Sequence, residues 1–541
     1  MFQHDATDDA TDNDDEERVV VTLRKDRLIE SLLEAFPGEA EGIRAYVEDV
    51  RLGASRFTER TDSGAAWHRG AAKWIRFPAF NPGLDALMAG KLVPVRTESA
   101  PGGILARVVA AVRRRLFKKA EIGARESAAE VVSKYVSDPA AIAALAAGQM
   151  IDWNLPPGKV AWPVAAGMMS YYDRGGYYPV GGSAQIAESI ADAIESRHDS
   201  RVLCNARVDR VLVTESGGHR AYGVKVNGVE VYAPIVVSAC GFLTTFRDLI
   251  PGSAVRDADL ASGVADVARR LRPSHGHVCA YVSLDGSSEA LGLKPANVHS
   301  FPEDFGTRWG FDVDALCEAF YADPLGTEPL VTITSPSAKD AWYRHRAPDR
   351  SNALLLVEGL SEWFEPFEDE RWGRRSDGYR AFKSKFKKIF LDRLHPHYPK
   401  TRGRVTHVEL STPLTAKHFI GAPGGASYGL EWTKEHFDAT FHERYFSPVI
   451  SEIPGMYLTG EAIAFGGFYG ALANGVVTAS HVIGLGTLLA GMLGDKDAVW
   501  PLVYEDGETP PEPEPEPEPT REPAEVGSKP GREEAGSTRE G

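Results

Sequence analysis

The stretch MYLTGEAIAFGGFYGALANGVVTASHVI, residues 456–483, constrains the fold more than any other part of the sequence. Its apolar start, Met456–Thr459, predicts a short strand, and Gly460-Glu461 breaks that strand. Gly466-Gly467 then predicts a turn, after which a helix opens near Phe468. The sequence therefore predicts a tight strand-turn-helix connection at this point.

The small residues of this stretch suit a flat ligand such as a flavin. Glycines let the backbone approach a planar ring closely, and a helix amino terminus places partial positive charge where a reduced flavin becomes anionic. The small residues Gly470, Ala471 and Gly475 leave little side-chain bulk on the helix, so a ligand can approach its backbone closely. Taken alone, however, such a glycine pattern is more often a tight connection that binds nothing.

Upstream of this stretch the sequence predicts a helix, a small meander and a central strand in succession. GGYYPVGG, residues 175–182, is a glycine-rich loop, and Ser183 is a candidate cap for a helix that carries Ile186, Ile190 and Ile194. The predicted strands and turns that follow are Val202–Cys204, Val208–Thr214, Gly217-Gly218, Ala221–Val226, Asn227-Gly228 and Val229–Ala233. The apolar run Ile235–Ala239 then predicts a buried parallel strand.

A second sheet is predicted further along the chain. Its strands are His277–Leu284, Leu330–Ser335 and Ala353–Glu358. A helix over Gly378–Leu394 is expected to cover this sheet, because its apolar residues Tyr379, Phe382, Phe386, Ile389 and Phe390 share one side.

Two helices around an FPGE turn are predicted near the amino terminus, from the spacing of Leu28, Leu32, Phe36, Ile43 and Val47. A later helical stretch, Ile104–Lys119, is strongly basic. Its composition suits a helix on an anionic membrane surface, although an ordinary packed helix with a solvated face explains it equally well.

The formal charge of −16 lies in the two tails. Met1–Glu17 holds eight acidic and no basic residues, and Glu505–Gly541 holds twelve acidic and four basic residues. The middle of the chain is therefore neutral, which gives no support to nucleic-acid binding. The acidic start and the TPPEPEPEPEP repeat at Thr509–Pro519 predict disordered tails.

The four cysteines, Cys204, Cys240, Cys279 and Cys317, show no CxxC spacing. We expect small buried hydrophobes in a reducing compartment, and no metal site. The amino terminus lacks the pattern of a secretory signal, so a cytoplasmic location, peripheral to the membrane at most, is expected. The uncharged stretch Gly470–Leu493 is interrupted by polar residues and favours a buried helix over a membrane span.

Residues 456–483 resemble the carboxy-terminal flavin motif of the phytoene desaturase, carotenoid isomerase and retinol saturase family. Other segments resemble that family in the same order, from about Leu23 onward: FPGEAEGIRAYV, GGYYPVGG, the meander that ends in VVSACG, and ELSTPLTAKHFIGAPGGASYGL. LSTPLTAKHF and YGL look most like the retinol saturase branch. The resemblance implies an α/β fold, in which an FAD/NAD(P)-binding domain of the glutathione-reductase type is interleaved with a substrate domain of mixed sheet and helices.

The resemblance also implies FAD as cofactor, NAD(P) as a candidate electron donor, and a polyene lipid such as a carotenoid or retinoid as substrate. The activity implied is saturation, desaturation or isomerisation of a double bond, with no obligatory side-chain acid or base. The residues that match the family's cofactor positions are Val208, Gly460, Glu461, Gly466, Gly467, Phe468, Gly470 and Ala471.

The sequence departs from this family at its beginning. Family members open with a strand, GxGxxG and a helix that binds the FAD pyrophosphate, and no such opening is present in the sequence. GLGTLLAG at Gly484 has the wrong glycine spacing. A truncated gene model, a split gene and a lineage that lost the motif are the open explanations, and a second polypeptide is a candidate source of the motif.

Competing readings concern other motifs. A cofactor-free remnant that binds lipid is the main alternative. GASYG, residues 425–429, fits the GxSxG pattern of serine hydrolases, but it follows a loop, where a nucleophile elbow requires a strand. His275-x-His277 places two imidazoles together, without a further metal ligand at suitable spacing.

The predicted organisation is a set of six segments. They are an acidic tail over 1–17, a helical substrate-side region over 18–175, FAD-binding segments over 176–260 and 441–495, a substrate domain over 261–440, and a Pro/Glu-rich tail over 500–541.

Overall fold

The computed structural model describes residues 28–61, 126–148, 150–173, 177–196, 200–214, 219–252, 254, 258–436, 445–450, 452–463 and 466–484. All of them belong to the first of two compact units, Met1–Ala498. The predictions made for both tails, the basic stretch 104–119, the turn at 217–218 and the glycines beyond 484 lie outside the described residues.

The described part of the chain opens with six α-helices, continues with four strands, and then intermixes helices and strands. The helices are α1 (Leu28–Ala35), α2 (Ala40–Thr61), α3 (Ala128–Val132), α4 (Pro139–Ala147), α5 (Trp162–Asp173), α6 (Ala184–Glu195), α7 (Ala258–Arg270), α8 (Ser288–Leu291), α9 (Phe305–Trp309), α10 (Val313–Ala322), α11 (Pro336–Lys339), α12 (Tyr343–Arg346), α13 (Asp377–His397), α14 (Pro413–Ile420) and α15 (Gly467–Ile483). The strands are β1 (Val208–Val213), β2 (Ala221–Val226), β3 (Val229–Tyr232), β4 (Val236–Ser238), β5 (Gly276–Asp285), β6 (Val298–Ser300), β7 (Val331–Thr334), β8 (Arg350–Gly359), β9 (Val405–Ser411) and β10 (Met456–Leu458).

The amino-terminal helices form one hydrophobic core with α3, α4, α5 and α10. Leu32, Phe36, Ile43 and Val47 are all buried in it, which confirms the helix pair predicted around FPGE. The second helix is longer than expected, since α2 runs for 22 residues. None of the described helices is both long enough and apolar enough to cross a membrane.

The second core joins segments that are far apart in the sequence. It combines residues of β1, β2 and α7 with residues of β10 and α15. Strand β4 pairs in parallel with β10, with Val236 beside Met456 and Ser238 beside Leu458. The parallel pairing predicted for the run 235–239 is therefore confirmed. The prediction that this run is completely buried is wrong, because the Val237 side chain is 47% exposed.

The meander β1–β2–β3 forms as predicted. Asn227 and Gly228, which link β2 to β3, both have positive φ (47° and 85°), as a two-residue hairpin requires. The strand predicted over Val202–Cys204 is wrong, since these residues are irregular. Ser183 does precede α6, but its side chain makes no capping hydrogen bond.

The third core lies in a five-stranded sheet of order β6-β7-β8-β5-β9. Its buried face includes Val278, Ala280, Val282 and Leu284 of β5, on which Phe386 and Phe390 of α13 pack. The three strands predicted here and the covering helix are confirmed. All of its strand pairs are antiparallel, so the sheet is not mixed as the resemblance implied.

The four cysteines were expected to be buried, and only two of them are. All four are free; Cys279 and Cys317 are buried, whereas Cys204 and Cys240 are exposed. The expectation of four buried side chains was therefore wrong for two of them, because Cys204 lies in an irregular segment and Cys240 follows the last residues of β4.

Candidate functional site

The strand-turn-helix predicted over 456–483 is built as β10, a 3-10 turn at Gly460–Ala462, and α15. Because β4 and β10 are parallel, their carboxyl ends meet at one edge, where Ala239 lies beside Gly460. In open α/β sheets, ligands bind at this edge of the strands. The sequence therefore places its glycine-rich turn where a nucleotide cofactor is expected to lie.

Two glycines make this turn possible. Gly460 has φ 70° and Gly467 has φ 71°, a left-handed conformation that side chains other than glycine rarely adopt. Between them, Glu461 folds back so that its Oε1 accepts a hydrogen bond from the Gly467 N–H at 3.0 Å. Burial raises the pKa of Glu461, and the bond from Gly467 opposes that rise. The turn thus fixes a partly buried carboxyl group against the first N–H of α15.

Two polar side chains of α15 attach the helix to the strand that precedes it. Asn474 donates its Nδ2 hydrogen to the Gly460 carbonyl at 2.6 Å, and Thr478 donates its hydroxyl to the Leu458 carbonyl at 2.8 Å. Both side chains are buried. Sequence reasoning did not assign these roles, although two polar residues four positions apart on an apolar helix were the available signal.

The residues at this edge fit a flavin nucleotide in part. Thr459 Oγ1 is buried and has no hydrogen-bond partner among the described residues, so the end of β10 offers a polar atom to a ligand. The first turn of α15 contains no acidic residue, and Phe468 is 55% exposed beside it. The Thr459 hydroxyl and the amino terminus of α15 suit the polar portion of such a cofactor, and the exposed Phe468 ring suits its ring portion.

One glycine serves the protein's own packing. A Cβ atom at Gly466 would lie 2.0 Å from Cζ2 of the Trp432 ring. The missing side chain at this position therefore makes room for an indole. The position after it is more open, since a Cβ atom at Gly467 would meet nothing closer than the Tyr428 ring at 4.0 Å.

The remaining predicted cofactor residues are distributed around this turn and beyond it. Gly470 is buried and Ala471 is partly buried, both within the first two turns of α15. Val208 begins β1 in the separate three-stranded sheet, where it pairs with Val226. The structure thus brings together the candidates of 460–471 and places Val208 in a different sheet.

A hydrogen bond that was not anticipated joins two motifs that the sequence presented separately. Ser427 Oγ lies 2.7 Å from His277 Nδ1. Burial lowers the pKa of His277 to about 4, against the opposing influence of the Glu358 carboxylate. The His277 imidazole is therefore neutral at physiological pH.

This Ser–His pair does not have the surroundings of a hydrolase nucleophile. The segment before Ser427 is a 3-10 turn, Pro423–Gly425, and irregular chain follows it, so the strand and helix of an elbow are missing here. The Tyr428 N–H, which an elbow would direct at an oxyanion, donates instead to Ser274 Oγ at 2.9 Å. The geometry gives the hydrolase reading no support.

His275 and His277 both lie near Glu358. The His275 Nδ1 atom is 3.6 Å from Glu358 Oε2, and His277 is directly opposite Glu358 in the ladder between β5 and β8. Within the described part of the chain, no three His, Cys, Asp or Glu side chains are arranged to hold a metal ion.

The chain is similar in sequence to curated vertebrate proteins. It is 30% identical to all-trans-retinol 13,14-reductase of Danio rerio over 335 residues, which are 60% of this chain and 52% of that protein. The corresponding protein of Homo sapiens is 30% identical over 341 residues, 61% of this chain and 53% of that one. A further Danio rerio relative, 28% identical over 340 residues, is named inactive all-trans-retinol 13,14-reductase. The chain spans about half the length of the curated relatives it matches.

Solved structures give only a distant likeness. An oxidoreductase from Methanosarcina mazei is 14% identical with a TM-score of 0.42, over 70% of this chain and 73% of that chain. Cyclohexylamine oxidase from Brevibacterium oxydans is 15% identical with a TM-score of 0.39, over 71% and 75% of the two chains. No protein-family model matches the sequence. The resemblance inferred from residues 456–483 and the segments before them is nevertheless confirmed by the curated relatives: over about 60% of its length, this chain is similar in sequence to the all-trans-retinol 13,14-reductases.

Proposed function

We propose that this chain is an FAD-dependent oxidoreductase, or the larger part of one, that acts on a double bond of a polyene isoprenoid lipid. Saturation of a retinoid is the reaction we favour among saturation, desaturation and isomerisation. The observation that carries the proposal is the 30% identity to proteins named all-trans-retinol 13,14-reductase. The glycine-rich turn at the shared edge of β4 and β10 gives that identity a candidate site.

The chain's own residues have separable tasks in this proposal. Bound FAD would supply hydride transfer to or from a carbon of the polyene. Gly460 and Gly467 give the backbone the conformation that the turn needs, and Glu461 holds the start of α15 in position. Thr459 offers its hydroxyl to the nucleotide. The exposed Phe468 and Leu472, one turn apart on α15, offer an apolar surface to the cofactor or the lipid.

A partner that completes the nucleotide-binding region is part of the proposal. Ile190 and Ile194 on α6 are 43% and 42% exposed, and Val237 on the parallel strand β4 is also exposed. Parallel strands are normally covered on both faces, and exposed apolar surfaces commonly mark interaction sites. These exposed residues support a second polypeptide or segment that carries a dinucleotide-binding motif.

Peripheral membrane contact through the basic stretch 104–119 also belongs to the proposal, since a lipophilic substrate has to be taken from a bilayer. Charge reversal of Arg113, Arg114 and Arg115 should weaken binding to vesicles rich in anionic lipid. Equal binding of the variant and the parent chain would contradict this contact.

The main experiment uses the purified full-length chain. We expect flavin absorbance near one FAD per chain after addition of FAD, and conversion of all-trans-retinol to a product two mass units heavier under anaerobic, reducing conditions. Gly467→Ala should lose flavin because φ 71° strains any side chain at that position, whereas Gly475→Ala, in open space on the same helix, should keep it.

The second candidate is a cofactor-free remnant that binds lipid, and the relative named inactive favours it. A colourless, folded protein that FAD neither binds nor stabilises, and that still binds retinol, would replace the first proposal by this one. NAD(P) as the electron donor is tested separately, by whether NADPH or NADH reduces the bound flavin.

A further inference from the structure

A buried polar cluster lies next to the glycine-rich turn and has no part in the proposed binding of FAD. We define it by His275, His277, Tyr321, Glu358 and Ser427. Ser427 Oγ and His277 Nδ1 are 2.7 Å apart, and His275 Nδ1 lies 3.6 Å from Glu358 Oε2. Tyr321 donates its hydroxyl hydrogen to the same Glu358 oxygen. The cluster therefore places a serine–histidine pair beside a buried carboxyl group.

Three buried atoms of this cluster have no hydrogen-bond partner among the described residues: His275 Nδ1, His277 Nε2 and Glu358 Oε1. The last two are carried by facing strand residues. The residues that carry them are directly opposed in the β5–β8 ladder, where side chains on one face lie close together. Because buried polar atoms are nearly always satisfied, a pair left open on facing residues points to a role in exchange of a proton or a polar ligand.

The cluster is separated from the glycine-rich turn by one aromatic ring. Tyr428 packs edge-on against His277, with ring centroids 6.1 Å apart, and its ring would lie 4.0 Å from a Cβ atom at Gly467. Its hydroxyl is fixed by the Ile151 carbonyl at 3.0 Å. Ser427, the residue before it, is partly exposed, and Gly429, two residues further on, lies beside Glu461 of the turn. At the other end of the cluster, the His275 side chain is 25% exposed and opens to solvent.

From this geometry we propose that Ser427 donates the proton in the reduction of the polyene, and that His277 and Glu358 resupply it from solvent. This inference rests on the proposed function. Reduction of one carbon–carbon double bond adds a hydride to one carbon and a proton to its neighbour, so that one π bond breaks and two C–H bonds form. The hydride is supplied by a reduced flavin, which the proposed function already requires.

The proton follows a balanced path through the cluster. The O–H bond of Ser427 breaks as the new C–H bond forms, and the proton on His277 Nδ1 moves to the serine oxygen. His277 Nε2 makes no hydrogen bond to Glu358, so it takes a proton from the Glu358 side through a bridging water, and solvent restores that proton past His275. A neutral imidazole can do this because one nitrogen gives a proton while the other accepts one. The number of protons on the protein is unchanged, and His277, left with its proton on Nε2, returns to its starting tautomer by exchanging its ring proton before the next turnover.

The test uses the full chain with bound FAD, reduced without oxygen and mixed with all-trans-retinol. Flavin reoxidation is followed in H2O and in D2O. We expect Ser427→Ala to slow reoxidation by about 10²-fold, the lower end of what general acid catalysis contributes. FAD content and retinol affinity should not change, and Ser427→Thr, which keeps a hydroxyl, should restore most of the rate. His277→Gln should slow the reaction and reduce the D2O effect.

Ser300→Ala is the matched control, since Ser300 Oγ makes the same kind of bond to His397 Nε2 at 2.9 Å in the same sheet. This variant should react at the parent rate. Unchanged reoxidation in Ser427→Ala would overturn the relay while leaving the proposed function intact. A lower retinol affinity with an unchanged maximal rate would overturn it too, because Ser427 would then only bind the lipid hydroxyl.

A second measurement needs no cofactor. Nitrogen-15 NMR of the histidine side chains in the FAD-free chain should show His277 neutral at pH 7, with its proton on Nδ1 or exchanging between both nitrogens. A charged ring, or a proton fixed on Nε2, would overturn the relay. A parent chain that neither binds FAD nor reduces retinol would instead remove the proposed function, and the relay with it.

Discussion

The five-stranded sheet buries its apolar residues almost completely, whereas the β4–β10 region leaves several of them exposed. In the sheet, alternate residues of β5 and β8 are almost fully buried under α13. In the other region, the parallel pair leaves Val237 open, β3 is exposed throughout, and α6 buries none of its residues. The sheet is therefore covered by the chain's own packing, whereas we propose that a ligand or a partner covers the apolar surface of the β4–β10 region, the proposed nucleotide-binding region.

The largest effect expected from this contrast concerns the sheet core. Phe386→Ala removes a fully buried ring that packs on β5 and β8, and it should lower the free energy of unfolding by about 3–5 kcal/mol. Phe419→Ala is the control, because that ring is 63% exposed and its loss should cost less than about 0.5 kcal/mol. Denaturant titration with hydrogen exchange checks both values. Equal losses of unfolding free energy in the two variants would show that burial in the sheet core does not set its stability.

A ligand should act on the other region. At a concentration one hundred times its Kd, FAD should stabilise the residues that it contacts by about 2.7 kcal/mol. Hydrogen exchange should show this protection in β4, β10 and the start of α15, while β5 and β8 change little. Protection spread evenly over both regions would show that they open together and not separately.

The two regions also differ in how much of them the sequence predicted. Strands β5, β7 and β8 and the helix α13 were predicted because their apolar residues follow the periods of a strand and a helix. The strand-turn-helix of 456–483 was predicted from glycine positions. The role of Trp432 against Gly466 could not be predicted, because it depends on a contact between loops that no local pattern encodes.

The Ser427–His277 bond illustrates the same limit. GASYG and His275-x-His277 were both visible as motifs, but Ser427 and His277 lie 150 residues apart, and a loop contact, in which the Ser427 N–H donates to the His275 carbonyl, brings them together. The prediction of burial failed for a different reason. Hydrophobicity predicted that the run 235–239 and two cysteines would be buried, but burial also requires a covering element of the fold.

Acid should lower the stability of the five-stranded sheet more than that of the β4–β10 region. Burial lowers the pKa of His277 to about 4, against 6.5 for the exposed side chain of an unfolded chain. Between these values the unfolded chain binds a proton that the folded sheet does not, so stability falls as the pH drops from 6.5 toward 4 and is unaffected by this group above 6.5. We expect a loss on the order of 1–2 kcal/mol, allowing for partial exposure.

His277→Gln supplies the comparison for that titration. It removes the titrating ring, so the remaining slope between pH 6.5 and 4 should be shallower by up to one proton. Hydrogen exchange at pH 6.5 and pH 4.5 should show the loss in β5 and β8. A slope that the substitution leaves unchanged would assign the acid sensitivity to other groups.

The smallest effect on stability should come from the exposed face of α6, and this face is the most direct test of partner dependence. Ile190→Glu combined with Ile194→Glu should change the free energy of unfolding by less than about 0.5 kcal/mol, because neither side chain is buried in the chain alone. If a second polypeptide covers α6, the same pair of substitutions should abolish its binding, because two charges would have to be buried without partners. Ser189→Glu, one position away on the same exposed helix, is the charge control and should leave binding intact. A chain in which the double variant unfolds more easily by several kcal/mol would show that α6 is already covered by the chain's own residues, and the contrast between the two regions would then disappear.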